Sequence, residues 1–284
     1  MGLVDHAPAK INLALHVTGR RGDGYHLLDS LVVFTELGDR LTLDEDPATP
    51  GLELAGPFGA PLQAERANLV TDAADAFMRE TGADLSALSF VLEKNLPVAS
   101  GIGGGSSDCA AALRLLNQYF GYRLGAARLA QIGLTLGADV PVCLAGQSCR
   151  MTGIGETLAP VTLPPLHLVL VNPGREVPTG GVFQALKGRF GDPMDGAPPA
   201  GFAAFAEWLS GQRNDLETPA MSLCPDIAAV KEALEASDGC ALARMSGSGA
   251  TLFGLYETAE AAAQATERLH HAYPGWWVAQ TRSL

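Results

Sequence analysis

Residues Asn95–Asn117 have the sequence NLPVASGIGGGSSDCAAALRLLN. A strand-like segment leads into a loop with four glycines in the five positions Gly101–Gly105, and two serines and a helix rich in alanine and leucine follow. Glycine lets backbone N–H groups turn toward one point, and a helix N-terminus adds about half a positive charge. The pattern predicts a surface loop that binds an anion.

Two standard nucleotide motifs do not fit this loop. A Walker A loop needs a lysine after its last glycine, and the dinucleotide fingerprint needs a glycine where Ser106 or Asp108 stands. The alternative to an anion site is a flexible glycine hinge with Ser106 as the helix cap. Because four glycines make ordering the loop costly in entropy, the pattern favours a bound ligand.

The composition of the whole chain limits what it can bind. Its 284 residues are 47% hydrophobic and 18% charged, which predicts a sizeable core and about two domains. A formal net charge of −12 leaves no basic surplus for nucleic acid or an anionic membrane. The start lacks a signal-peptide pattern, no apolar run reaches ~18 residues, and the five cysteines form no C-x-x-C pair. We therefore expect a cytoplasmic protein with reduced, buried thiols and neither nucleic-acid nor membrane partners.

Hydrophobic periodicity predicts a mixture of strands and helices. Strands are predicted at Lys10–Val17 and at LVVFT, RLTLD, GLELA, LSFVLEK, LHLVLVNPG, ATLFGLY and WWVAQTR. Helices are predicted at NLVTDAADAFMRET, ending at Gly82, at Ser106–Tyr119, in GAARLAQIGLTLGADVPVCL, ending near Gly137, at PDIAAVKEALEAS and over 258–272. Gly19–His26 and the Pro/Gly-rich segment Asp192–Gly201 are predicted loops, the second one exposed. This mixture favours two α+β domains.

Four other short patterns contain residues that could carry chemistry. They are Lys10 just ahead of a strand, Tyr25–His26, Asp139 after a helix-ending glycine, and the second glycine loop in Met245–Tyr256. Each has an ordinary alternative: a solvated lysine, packing at a rim, a cap for a short helix that begins with Pro141, and a tight turn. Their joint occurrence along nearly the whole chain favours function.

The segments that carry a family resemblance are PAKINLALHVTGRRGDGYH, NLPVASGIGGGSSDCAAAL, LTLGADVPV, NPG…VPTGGVF and SGSGATLF. Together they resemble the superfamily of galactokinase, homoserine kinase, mevalonate kinase and phosphomevalonate kinase. The first and fourth are similar to the branch that phosphorylates a cytidine-diphosphate-linked methylerythritol in the non-mevalonate route to isoprenoids. The resemblance implies a two-domain α+β fold, with a ribosomal-protein-like N-terminal domain at 1–160 and a ferredoxin-like C-terminal domain at 161–284.

The resemblance also implies transfer of the γ-phosphoryl group of ATP, with Mg²⁺, to the 2-hydroxyl of the methylerythritol moiety. Asp139 would take the proton of that hydroxyl, assisted by Lys10. The glycine loop would wrap the triphosphate with Pro97, Val98, Ala99, Ser100, Gly101, Ile102, Gly103, Gly104, Gly105, Ser106 and Ser107. Ser106 or Ser107 could touch the metal, and the sequence does not choose between them.

For the second substrate, the resemblance implies that Tyr25 and Phe183 flank the cytosine ring, His26 reads its edge and Asn12 makes a further contact. Asp108 is a departure that needs an explanation, because a carboxylate near phosphates is repulsive unless it points away or meets a cation. The segment 185–213 resembles the family least, and we assign it no role.

Three alternatives remain open from the sequence. Another small-molecule kinase of the superfamily, of the homoserine or mevalonate type, would not need the GDGYH segment. A catalytically silent nucleotide-binding module would not need both Lys10 and Asp139. An RNA-binding role conflicts with the net charge of −12. Monomer and homodimer are both compatible with the sequence.

Overall fold

The computed structural model describes residues 2–45, 50–62 and 68–284, which form ten strands and ten helices. The strands are β1 Leu3–Arg20, β2 His26–Glu45, β3 Gly51–Ala55, β4 Leu88–Glu93, β5 Cys149–Gly153, β6 Thr157–Pro160, β7 His167–Asn172, β8 Cys240–Met245, β9 Leu252–Tyr256 and β10 Trp277–Arg282. The helices are α1 Gly59–Leu62, α2 Leu69–Thr81, α3 Gly104–Tyr119, α4 Ala126–Leu136, α5 Val140–Ala145, α6 Thr179–Ala185, α7 Phe202–Ser210, α8 Glu217–Leu223, α9 Asp226–Glu235 and α10 Ala259–Ala272. This mixture confirms the α+β class.

The chain forms two compact units, each built from several segments. The first unit comprises Met1–Ala9, Leu37–Val98 and Gly103–Gly146, and the second comprises Lys10–Glu36, Ala99–Ile102 and Gln147–Leu284. Strands β1 and β2 therefore contribute residues to both units. The division at residue 160 stays a prediction.

In the first unit, α2, α3, α4 and α5 pack against one another. The C-terminal half of β2 pairs antiparallel with β4, which pairs in parallel with β3. Helix α2 buries Val70, Ala73 and Phe77, which recur at helical spacing on one face. It ends as predicted at Gly82, which has a left-handed φ of 66° and donates its N–H to Met78 O.

Strand β2 is longer than predicted. The sequence predicts separate strands at LVVFT and RLTLD, but both lie in the single strand β2. Between them, Gly38 allows β1 to pass closely, because a Cβ there would lie 2.7 Å from the Cα of Pro8. Strand β1 also begins earlier than predicted, so Lys10 lies inside the strand, and the expectation that it lies at or just ahead of the start of the strand is wrong.

In the second unit, the four-stranded antiparallel sheet has the order β10-β7-β9-β8, and α9 and α10 pack on it. This order, with helices in the β7–β8 and β9–β10 connections, is the predicted ferredoxin-like arrangement. Its core includes the fully buried residues Val169, Leu252 and Tyr256. The first half of β2 pairs antiparallel with β5, and β5 pairs antiparallel with β6.

The predicted loops are confirmed with one correction. The chain turns between β1 and β2 within Gly19–His26, and Asp192–Gly201 contains neither helix nor strand. The second loop is not fully exposed, because Met194 is buried and donates its N–H to Asp29 Oδ2 at 2.8 Å. All five cysteines are free thiols, and four of them are buried. Among the helices in the described part of the chain, none has the length and apolar character needed to cross a bilayer.

Candidate functional site

The glycine loop ends at an uncapped helix N-terminus. Helix α3 begins at Gly104, and its N-cap is Gly103, which has a φ of 67° and makes no side-chain cap hydrogen bond. The alternative in which Ser106 caps the helix is therefore wrong. The first N–H groups of an α-helix have no acceptor within the helix, and they attract anions. This end of α3 suits a phosphate group.

A second glycine loop supports the middle of the first one. Gly101 has a φ of 77°, and a Cβ there would lie 2.6 Å from Ser246 O and 2.7 Å from Gly249 O. The hydroxyl of Ser246 accepts from the N–H of Asn12 and donates to Gly101 O, both at 3.0 Å. Sequence reasoning assigned Ser246 no role, although the SGSG pattern drew attention to this loop.

The loop is also less exposed than predicted. Ser100 is 4% exposed and Ile102 is fully buried. Ser107 is likewise buried, and its hydroxyl donates to Pro8 O at 2.7 Å. The loop is thus held by the protein on one side, which limits the positions where an anion can approach its N–H groups.

Lys10 is buried rather than solvated. It is 3% exposed in the middle of β1, and its backbone N–H donates to Ile102 O at 2.9 Å. Burial raises the pKa of the neighbouring Cys149 thiol to about 11, and the positive charge of Lys10 opposes that rise. Because a buried ammonium is costly, Lys10 is not an ordinary surface lysine. This corrects the alternative of a solvated lysine.

Asn12 offers a buried hydrogen-bond acceptor. Its Nδ2 donates to the hydroxyl of Ser30 at 2.8 Å, and that hydroxyl donates to Ala14 O at 2.7 Å. Since the single hydroxyl proton is used, Ser30 must accept from the NH₂ group, which assigns the amide orientation. Asn12 Oδ1 is then buried without a hydrogen-bond partner among the described residues. A donor on a bound molecule would satisfy it.

Asp139 occupies the N-cap position of α5 but makes no side-chain cap hydrogen bond. Its alternative role as a helix cap is therefore wrong, although Pro141 lies in the first turn as predicted. The carboxylate is half-buried and belongs to the first unit, whereas Lys10 belongs to the second. Helix α4 ends just before it at Gly137, as predicted.

Aromatic side chains gather beside the turn between β1 and β2. Tyr25 is 55% exposed, and His26 stacks on Phe183 with ring centroids 4.6 Å apart. Phe190 lies edge-on to His26 at 6.1 Å and is partly exposed. Sequence reasoning missed Phe190 because it lies in the segment least similar to the family. Burial, and secondly the charge of Arg20, lower the pKa of His26.

Asp108 meets a cation, one of the two possibilities left by the sequence. Its carboxylate lies 2.7 Å from Nζ of Lys94, which also binds Asp39. Burial raises the pKa of Asp108 to about 7; Lys94 opposes this rise and Asp39 adds to it. A Cβ at Gly104 would point toward this cluster, 3.4 Å from Lys94 Nζ.

Comparison with known proteins shows which family this chain belongs to. The family model described as GHMP kinases N terminal domain matches residues 68–147, and GHMP kinases C terminal matches residues 200–275. The chain belongs to the GHMP kinase family. A GHMP kinase from Dinoroseobacter shibae, named 4-diphosphocytidyl-2-C-methyl-D-erythritol kinase, is 54% identical over 279 residues, which cover 97% of this chain and 93% of the relative.

Other GHMP kinases support the same assignment. A relative of the same name from Chelativorans sp. is 51% identical over 280 residues, 98% of this chain and 94% of the relative. The crystal structure of a 4-(cytidine 5'-diphospho)-2C-methyl-D-erythritol kinase matches with a TM-score of 0.80 and 36% identity, over 99% of this chain and 100% of that one. A homoserine kinase from Cytophaga hutchinsonii matches with a TM-score of 0.69 and 18% identity, over 100% and 94%, and shows the fold alone. The resemblance and the two-domain GHMP kinase fold are confirmed.

Proposed function

We propose that this GHMP kinase transfers the γ-phosphoryl group of ATP to the 2-hydroxyl of 4-diphosphocytidyl-2-C-methyl-D-erythritol, in the non-mevalonate route to isoprenoid precursors. The observation that carries the proposal is 54% identity to a kinase of that name over 97% of the chain. The GDGYH segment, which homoserine and mevalonate would not require, agrees with it.

The acceptor is a tertiary alcohol, which ionises far above neutral pH and is crowded. In our proposal, Asp139 accepts its proton as attack on the γ-phosphorus proceeds, which typically accelerates a reaction by ~10²–10⁴-fold. Lys10 orients the carboxylate and offsets the charge of the transferring group. Positioning and charge neutralisation carry the catalysis, and no covalent enzyme intermediate is required.

The glycine loop is proposed to bind the ATP phosphates. The left-handed N-cap residue Gly103 and the first turn of α3, whose N–H groups have no acceptor within the helix, fit a polyphosphate. The loop presents hydroxyl and carbonyl oxygens, the kind of donor that Mg²⁺ prefers. Bound to the phosphates, Mg²⁺ would neutralise charge on their oxygens; its protein ligands are not assigned.

The acceptor is proposed to lie along β1 and the following turn. The unsatisfied Oδ1 of Asn12 supports a contact with a hydroxyl of the substrate. Tyr25 and Phe183 would flank the cytosine ring and His26 would bind its edge, which agrees with the exposure of Tyr25 and the stacking of the other two rings.

The division into domains at 1–160 and 161–284 is part of this proposal. It is supported by the two family models, because the N-terminal match at 68–147 lies inside the first range and the C-terminal match at 200–275 inside the second. A cytoplasmic location and a monomeric or homodimeric state remain predictions.

Mass spectrometry of the reaction product tests the function. The purified protein is incubated with Mg²⁺, ATP and the cytidine-diphosphate substrate, and in parallel with homoserine or mevalonate. We expect ATP-dependent gain of one phosphate by the cytidine compound alone, with fragmentation placing it on the methylerythritol moiety. Phosphorylation of homoserine or mevalonate instead would overturn the proposal and favour another kinase of the family.

A further inference from the structure

Three buried charged side chains meet beneath the glycine loop. Lys94 directly follows β4. Its Nζ donates to Oδ2 of Asp39 on β2 and, at 2.7 Å, to Oδ2 of Asp108 on α3. The three side chains are no more than 5% exposed. We call them the Asp39–Lys94–Asp108 triad.

The triad contacts the strand side of the loop through Asp39. Its Oδ1 accepts the backbone N–H groups of Asn95 and Leu96, at 2.6 Å and 2.9 Å. These residues immediately precede Pro97, where the loop begins. One carboxylate thus holds two consecutive backbone N–H groups where the chain leaves β4.

The triad contacts the helix side of the loop through Asp108, in the second turn of α3. The first turn of the helix also lies against it, because a Cβ at Gly104 would be 3.4 Å from Lys94 Nζ and 3.6 Å from Asp39 Oδ2. Lys94 thus joins the residues on both sides of the loop through a single ammonium group.

This arrangement is a poor means of stabilising a core. Removing charges from water offsets most of the attraction between them, and apolar replacements of buried ion pairs are often neutral or stabilising. Two carboxylates share one cation here, and Asp108 Oδ1 has no hydrogen-bond partner among the described residues. Burial also raises the pKa of Asp108 to about 7, so its ionised form is disfavoured. A role in loop geometry explains its position better than a role in stability.

We propose that the Asp39–Lys94–Asp108 triad positions the glycine loop for the phosphates of ATP without touching the nucleotide. This inference rests on the proposed function, in which that loop binds ATP. Backbone N–H groups bind a polyphosphate well only when they are held in fixed directions. The three side chains are positioning residues, and their effect is on ATP rather than on the acceptor.

Two substitutions of Asp108 distinguish the effect of its hydrogen bond with Lys94 from the effect of its negative charge. Asp108→Asn and Asp108→Leu both remove the surplus carboxylate and leave Lys94 paired with Asp39. Only the asparagine keeps an acceptor for Lys94. We expect Asp108→Asn to bind MgATP like the wild type, whereas Asp108→Leu binds it roughly 10- to 100-fold more weakly, because N–H groups that are less well held in advance bind the phosphates less tightly. The KM for the acceptor substrate stays at the wild-type value in both variants. The two variants have the same melting temperature.

Calorimetric titration with MgATP, circular dichroism melting and separate KM values for the two substrates measure these effects. The matched control is Glu80→Gln, which breaks an exposed ion pair with Arg128 in the same unit and should change none of them. If Asp108→Leu does not fold, the neutral variant Asp39→Asn/Lys94→Met/Asp108→Leu replaces it, since the amide oxygen introduced by Asp39→Asn still offers an acceptor to the two backbone N–H groups.

The proposal would be overturned if Asp108→Leu, or the neutral variant in its place, bound MgATP as tightly as Asp108→Asn does. A parallel rise of both KM values with a falling melting temperature would also overturn it, because that pattern indicates a purely structural role. Failure of the proposed function is distinguishable: a wild type that binds ATP but does not phosphorylate the cytidine substrate contradicts the function, while the binding titrations still decide the role of the triad. A wild type that does not bind ATP overturns both.

Discussion

The imidazole of His26 stacks on the phenyl ring of Phe183, with centroids 4.6 Å apart and planes inclined by 24°. The pKa of His26 is lowered, first by burial and then by Arg20, so the ring is mainly neutral at pH 7. A neutral imidazole has one donor and one acceptor nitrogen. Those are the two kinds of group needed to pair with the amino group and N3 of cytosine.

The first prediction concerns the choice of nucleobase. Uracil reverses the donor and acceptor pattern of cytosine, so buried polar groups lose their partners when it enters. We expect the wild type to reject the uridine analogue by at least ~10²-fold in kcat/KM. His26→Ala should reduce that discrimination. Competition between the two nucleotide substrates measures both effects.

Stacking provides the contrast for this experiment. Tyr25→Ala should weaken both nucleotides similarly, by ~1–3 kcal/mol, because every base has a π-face. The control is Tyr122→Ala, since Tyr122 is 70% exposed and should leave both substrates unaffected. Equal use of cytidine and uridine forms by the wild type would contradict the role given to His26.

The second prediction concerns the general base. Asp139→Asn keeps the shape of the side chain and removes the proton acceptor, so kcat should fall by ~10²–10⁴-fold while ATP still binds. Lys10→Ala should also lower kcat. The double variant should lose much less than the product of the two single losses, since residues that act as one unit are not additive. Steady-state kinetics and ATP titration give these values.

Asp75→Asn is the matched control for this pair, because Asp75 is exposed on a helix of the same unit as Asp139. Its kcat should equal that of the wild type. A kcat close to the wild-type value in Asp139→Asn would remove Asp139 from the mechanism.

The third prediction concerns Gly104. Valine there would carry branched methyl groups toward Lys94 Nζ, which lies 3.4 Å from the Cβ position, and toward Asp39. We expect Gly104→Val to lose ATP affinity and also about 1–3 kcal/mol of unfolding free energy, the usual cost of overpacking. Calorimetric titration and urea unfolding measure the two effects. Gly275→Val serves as control, because no atom lies within 4 Å of a Cβ at that position. ATP affinity at the wild-type level in Gly104→Val would contradict the assignment of this loop.

The fourth prediction concerns acid stability. Nδ1 of His16 donates to Asp192 O at 3.0 Å, and Nε2 accepts the N–H of Arg213 at 3.2 Å. A second proton would face a donor. The pKa of His16 is lowered from 6.5, first by burial; the Asp192 carbonyl opposes this, Arg213 adds to it, and Asp215 and Asp29 oppose it.

The unfolded chain therefore binds this proton near pH 6.5, and the folded protein binds it only at lower pH. Stability is fully present above that pH and is lost as the pH falls toward the folded pKa. Between pH 7.5 and 5.5, urea unfolding should show a larger loss in the wild type than in His16→Gln, whose amide does not titrate. The control is His270→Gln, because His270 is exposed. This variant should lose as much unfolding free energy over the same pH range as the wild type does. An identical loss in His16→Gln would contradict the assignment.

Elements decided by nearby residues could be predicted from the sequence. The end of α2 follows from Gly82, whose left-handed φ of 66° suits glycine, and α4 also ends at the glycine predicted, Gly137. The start of α3 could not, because its N-cap is a glycine in the left-handed region rather than a serine with a capping side chain. A glycine run does not show which of its members begins the helix.

Features that depend on residues far apart in the sequence could not be predicted from it. LVVFT and RLTLD are parts of the single strand β2, which β1 approaches closely at Gly38, and no local pattern shows this contact. The burial of Lys10 likewise depends on its neighbours in the fold. The sequence left two possibilities for Asp108, that it points away from the phosphates or that it meets a cation, and Lys94 and Asp39 could not be chosen from among the other charged residues.

The interleaving of the two units along the chain has a consequence for biosynthesis. A ribosome releases every residue of the first unit once Gly146 has emerged. At that point Leu13 and Leu15 of the second unit have been synthesised, but two of their hydrogen-bond partners have not. These partners are Arg244, which donates to Leu13 O, and Asp215, whose N–H donates to Leu15 O. The N-terminal strand therefore completes these two contacts only when translation is nearly complete, although its pairing with β2 involves residues made much earlier.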